Sequence, residues 1–156
     1  MSDRLSNVTL NPVDDQPRRV GGELRIEHPA LVLASYAPRF AAWLLDRRGP
    51  WLAPVPKDSV VQALGGLDRT DQPRDTTYRA DEVRQLADAL VRETFKATAV
   101  DPRLKAYARE VVPHLESVAD HVRIAVSEII AFYRQAAEQG HGVEVRWHPR
   151  SPTALV

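Results

Sequence analysis

Cysteine is absent from this 156-residue chain, which removes disulfides, thiolate nucleophiles, Cys-ligated zinc and iron–sulfur clusters together. Charge of one sign is not in excess either, since 21 basic residues balance 21 acidic ones. The chain therefore lacks the field that holds a protein non-specifically on nucleic acid or on an anionic membrane, and nucleic acid is not its expected partner. Long apolar runs are missing too. The longest, 29–38 and 40–45, are interrupted by Arg39 and fall short of the roughly 20 residues that span a bilayer, so no membrane segment is expected. Met1-Ser2-Asp3-Arg4 opens into polar sequence with no apolar stretch of signal-peptide type, and the expected location is cytoplasmic.

Motifs with a known mechanism are lacking as well. There is no Walker loop, no Gly-x-Gly-x-x-Gly, no Gly-x-Ser-x-Gly and no His-Glu-x-x-His, so nucleotide hydrolysis, dinucleotide redox chemistry, serine hydrolysis and zinc proteolysis are without their local signatures. No cofactor is expected.

What is there is the composition of an ordinary globular domain, 44% hydrophobic and 27% charged, in a length that buries roughly 70% of the unfolded chain's surface. Arginine greatly outnumbers lysine, a bias that points to a GC-rich bacterial genome or a phage of such a host. Residues 1–27 read as a polar arm with two short strand candidates, 7–10 and 23–27, the second alternating Leu24 and Ile26. Val143, Val145 and Trp147 alternate with polar residues near the other end, the period of a strand with one buried face. These predict a minor β element built from the termini, with a strand and tail over 141–156.

Between them, 28–140 is expected to form a helical bundle. One helix runs over about 29–48 with Pro38 inside it, and ends at Arg47-Arg48-Gly49-Pro50. A brief one over about 58–64 stops at Gly65-Gly66. The polar stretch 68–77 reads as an exposed loop, and a helix over about 79–97 turns Val83, Leu86, Leu90 and Val91 inward. The strongest pattern follows Asp101-Pro102, an N-cap residue with proline at the first helical position. From there to Gly140, Leu104, Ala108, Val111, Leu115, Val118, Val122, Ala125, Ile129, Phe132 and Ala136 alternate steps of four and three. The seam predicts one long helix over about 102–139, bent at most near Pro113. The fold class expected is mainly α.

Two features of that helix bear on function. Ile124, Ile130, Ala131 and Phe132 carry apolar character onto flanks that a single buried face does not require, which marks them as candidate interface residues. Beside the seam, Tyr107, His114, His121 and Glu128 stand seven apart. Residues seven apart on a helix are separated by about 10.5 Å of rise, so His114 and His121 do not share one metal ion bound at about 2.1 Å. Glu110, one turn before His114, is the nearest further ligand candidate.

Arg109 and His114 have an Arg-x4-His spacing, which resembles the motif of the helical HEPN ribonucleases. The resemblance covers those two residues, and implies that an arginine and a histidine act on an RNA phosphate. The sequence as a whole points to a non-catalytic interaction or assembly subunit of a bacterial or phage complex, with a protein partner that is a second copy or another chain. The alternative is an enzyme using the His114 and His121 row, either metal-free and ribonuclease-like or metal-dependent.

Overall fold

A computed structural model of the chain describes residues 7–36, 59–66, 74–92 and 102–148. Nine elements follow in order among them. They are strands β1 (Asn7–Val13) and β2 (Leu24–Glu27), helices α1 (Pro29–Tyr36) and α2 (Ser59–Ala63), strand β3 (Thr76–Tyr78), helices α3 (Ala80–Leu90), α4 (Pro102–Val111) and α5 (Val118–Glu138), and strand β4 (Gly142–His148). The strands form one antiparallel sheet in the order β2-β1-β4-β3. The expectation of a mainly-α bundle is therefore corrected to an α+β fold, in which helices pack on one face of a four-stranded sheet.

The sheet is larger than the expected minor β element because its central strand, expected only over 7–10, continues through Asn11 and Pro12 to Val13. β1 is Asn-Val-Thr-Leu-Asn-Pro-Val, and proline in a central strand ordinarily removes a ladder bond. Here Pro12 lies beyond the last β2 pair, Leu10 with Leu24, so its missing N–H takes no bond from the β1–β2 ladder. Its carbonyl accepts instead from the Val20 N–H at 2.9 Å. The connection between β1 and β2 is likewise ordered. Asp14 Oδ1 accepts from the backbone N–H groups of Gln16 and Arg18, each at 2.9 Å, folding the turn on itself. β3 was hidden in the stretch expected to be loop, and its three residues pair with Val143, Glu144 and Val145.

Alternation sorts the two faces of the sheet. Val8, Leu10, Ile26, Val143 and Val145 point into the helical layer and are buried. The opposite face carries Thr9 and Asn11, both 2% exposed, under a cover of long charged side chains. Arg19 and Arg146 both reach Glu144, Asn11 donates to Glu23, and Thr9 Oγ1 lies 2.8 Å from His148 Nε2. Burial alone raises the Glu144 pKa, but the hydrogen bonds from Arg146 and Arg19 outweigh it and hold the carboxyl below its ordinary range.

The long helix expected over 102–139 is two helices. Residues 112–117 leave the helical path between α4 and α5. Pro113 has no N–H for the helix, its ring crowds the preceding turn, and it drives Val112 away from helical dihedrals. Ser117 then starts α5 afresh, its hydroxyl accepting from the Asp120 N–H at 3.2 Å. The apolar seam survives the break, because both helices lie on one core and bury Leu104, Ala108, Val118, Val122, Ala125, Ile129 and Ala136. α3 ends at Leu90, so Val91, expected to face inward, is 55% exposed, and Ala87 takes the inner place. The expected kink at Pro38 and the stop at Arg47-Arg48 lie outside the described residues.

α2 is too short to satisfy its own C-terminal carbonyls, and five side chains from elsewhere in the chain satisfy these and the carbonyls of the turn that follows. The Tyr78 hydroxyl donates to the Gln62 carbonyl at 2.5 Å and the Tyr133 hydroxyl to that of Ala63 at 2.6 Å. Trp147 Nε1 donates to Leu64 at 2.9 Å, and Arg74 and Thr76 to Gly65 at 3.0 Å each. The chain turns here through Gly65 and Gly66 at φ +97° and +76°, a left-handed conformation that favours glycine. These bonds tie the turn to β3, β4 and α5, and lock the helical layer to the sheet.

Candidate functional site

The polar row expected on the long helix is divided by the helix break. Arg109 and Glu110 are exposed on α4, His114 is exposed in the 112–117 link, and His121 is half-buried in the first turn of α5. Arg109 and His114 thus stand on separate segments rather than on one helix face. His121 gains a neighbour that sequence spacing did not reveal. His28, at the corner between β2 and α1, places its ring centroid 6.1 Å from that of His121, with the planes tilted by 55°. His28 adopts φ +51°, which is strained for a residue with a Cβ. Burial first, then the His121 ring, with a smaller contribution from His114, lower the His28 pKa, and Glu27 opposes them. A depressed pKa keeps His28 uncharged at neutral pH. His121 Nε2 is buried, with no hydrogen-bond partner.

Three histidines therefore gather near one corner of the fold, and their chemistry is constrained. Among the described residues no group of three His, Asp or Glu side chains is disposed to hold a metal ion. A neutral His28 and a sequestered His121 nitrogen offer little to a phosphate, which is held by charged or exposed donors.

A cleft of about 260 Å³ opens beside this corner, between the edge strand β2 and the flank of α5. Arg25, Ile26 and Glu27 line one wall, and His121, Ile124, Ala125 and Glu128 the other. Ile124 is 58% exposed at its mouth. The remaining candidate interface residues are distributed otherwise. Ala131 is exposed, whereas Ile130 and Phe132 are half-buried against the protein's own core, Phe132 edge-on to Tyr133 with ring centroids 6.0 Å apart. Further along the same flank, Phe132, Gln135 and Gln139 face Pro12, Gly21 and Gly22 across a smaller cleft of about 160 Å³. The flank of α5 next to β2 thus presents an apolar floor with a polar rim, against a strand that among the described residues pairs on one side only.

Compared with family models, curated proteins and solved structures, the chain matches none. The site's own geometry carries the functional argument. Among the described residues no helix is long and apolar enough to cross a membrane.

Proposed function

We propose that the chain is a non-catalytic protein-interaction subunit of a multiprotein assembly, bacterial or phage in keeping with its arginine bias, and that it docks through the α5 flank beside β2. The observation that carries this reading is Ile124, a large apolar side chain left 58% exposed at the mouth of a cleft bordered by an edge strand. Scattered exposed apolar residues need no explanation, but one set beside a strand that pairs on one side only among the described residues forms a combined surface. Such a surface supplies main-chain hydrogen bonds from the strand and apolar contact from the helix, the pairing by which sheet edges accept partners.

Position-specific photocrosslinking in the producing cell tests the proposal. Benzoylphenylalanine at position 124 is expected to give a discrete protein adduct, while the same probe at Gln85, exposed on α3, gives none. Equal labelling at both positions, or none at 124, removes the basis for the reading.

A second reading, an enzyme built on His114 and His121, draws support from the approach of His28 to His121. It requires a stoichiometric metal in untagged protein or an RNA-cleaving activity, in either case lost in His121→Gln with the fold intact.

A further inference from the structure

From the same docking surface, and resting on that reading, we infer that the partner at the β2 edge is a second copy of this chain, its β2 paired antiparallel with ours and Ile26 on the two-fold axis. The direction of the peptide groups decides which residues of β2 can pair outward. Val20 N–H reaches the Pro12 carbonyl on the β2 side of β1. Peptide groups alternate sides along a strand, so Leu10 and Val8 also face β2, and their partners Leu24 and Ile26 spend their hydrogen bonds inward. The N–H and C=O groups of Arg25 and Glu27 consequently point away from β1, off the edge of the sheet.

An incoming antiparallel strand must set outward-pointing residues opposite outward-pointing residues. For two copies of β2 this leaves few registers, and charge chooses among them. Glu23, Arg25 and Glu27 alternate in sign on the face opposite the helices. With Arg25 opposite its own copy, arginine meets arginine and Glu23 meets Glu27, which is repulsive. With Arg25 opposite Glu27, every such pair at the centre is of opposite sign, and each of the two symmetry-related pairs exchanges both its N–H and its C=O. Arg25 is held only loosely within its own chain, its guanidinium 3.9 Å from Glu23 and its side chain 55% exposed. It is therefore available to a carboxylate across the edge.

A third observation fixes the axis. A register pairing Glu23 with Arg25 is also of opposite sign, but it centres on Leu24. Ile124 lines the cleft with Arg25, Ile26 and Glu27, and Leu24 does not. An axis through Ile26 brings Ile124 towards its copy on the helical side while the charges pair on the other. Alternating charge on an edge strand discourages pairing with arbitrary chains. In this register the same pattern is complementary to itself, as an isologous contact requires.

Sedimentation equilibrium of the purified full chain, over about 1 to 500 μM, tests the inference. The wild type is expected to dimerise. Arg25→Glu sets glutamate against glutamate in both symmetry-related pairs, and Glu27→Arg sets arginine against arginine, so each alone weakens the dimer by about tenfold or more. Mixed in equal amounts, Arg25→Glu and Glu27→Arg chains are complementary again and are expected to form a heterodimer within about threefold of the wild-type Kd. Both positions are exposed, and circular dichroism checks that the fold is kept.

A wild type that stays monomeric throughout, or a mixture no tighter than its components, overturns the inference. Loss of the dimer in Ile124→Glu with no effect of the charge variants also overturns it, while leaving the docking surface in place. So does a monomeric pure protein whose position 124 crosslinks a different chain, or a captured extended peptide at the edge. Absence of any specific adduct at position 124 instead strikes the docking reading itself.

Discussion

Replacing Tyr133 by phenylalanine removes one oxygen atom from the centre of the molecule, and the structure gives its consequence a magnitude. The ring has no exposed surface, and burial raises its hydroxyl pKa well above the ordinary value, so the group is a neutral donor throughout the physiological range. It donates to the Ala63 carbonyl at 2.6 Å, and among the described residues no other donor reaches that oxygen. Tyr133→Phe thus loses a hydrogen bond and strands a buried acceptor, a combination that costs about 1 to 3 kcal/mol. Tyr78 provides an internal comparison. Its hydroxyl meets the Gln62 carbonyl, which also accepts the Gly65 N–H at 2.9 Å and so keeps a partner when the hydroxyl is gone. Tyr78→Phe should cost about 1 kcal/mol or less, the net worth of an ordinary hydrogen bond. Equilibrium urea unfolding at pH 7 measures both. If Tyr133→Phe costs less than about 0.5 kcal/mol, or no more than Tyr78→Phe, then the carbonyls of the α2 turn do not depend on these side chains, and the account of how helices and sheet are locked together fails.

Ser117→Ala removes the cap that restarts the helix after Pro113, and should cost about 1 kcal/mol by urea unfolding, with amide exchange rising first in residues 118–121. Gly142→Ala places a Cβ against the Tyr78 carbonyl and 3.2 Å from Val13 Cγ2; a loss of about 1 to 3 kcal/mol is expected, with faster exchange at the Thr76 and Tyr78 amides, which face β4, as β3 is pushed from it. Because the folded His28 pKa lies below the ordinary 6.5, the unfolded chain takes up a proton there before the folded one as pH falls. Its contribution is complete above pH 6.5 and is lost as pH falls through the folded value. His28→Asn, which tolerates the left-handed backbone better, should flatten that part of the stability curve in unfolding measured between pH 7 and 5, and an unchanged slope would show that the corner does not govern the acid limb.

Elements whose signal is local could be read along the chain. Leu24 and Ile26, and Val143, Val145 and Trp147, announced two strands through period-two alternation, and the apolar seam from Leu104 to Ala136 named most of the residues that α4 and α5 bury. Gly65-Gly66 marked a turn that is one. The seam did not reveal that its helix is broken, because burial on one core continues across a gap that Pro113 and Ser117 create. The fold class, by contrast, depends on pairings between distant segments. The strand expected over 7–10 runs on through Asn11 and Pro12 to Val13 because β4 pairs with it along its whole length, and β3 exists because β4 offers it an edge. The same holds for the site. The row His114 and His121 was legible from spacing, but the approach of His28 to His121, and the placing of Ile26 and Ile124 on one cleft, join residues about a hundred positions apart. Periodicity reports which face of an element is apolar, and it carries no information on which other element will cover that face. That choice is made by the competition of whole surfaces for burial and hydrogen bonds, which the chain settles only on folding.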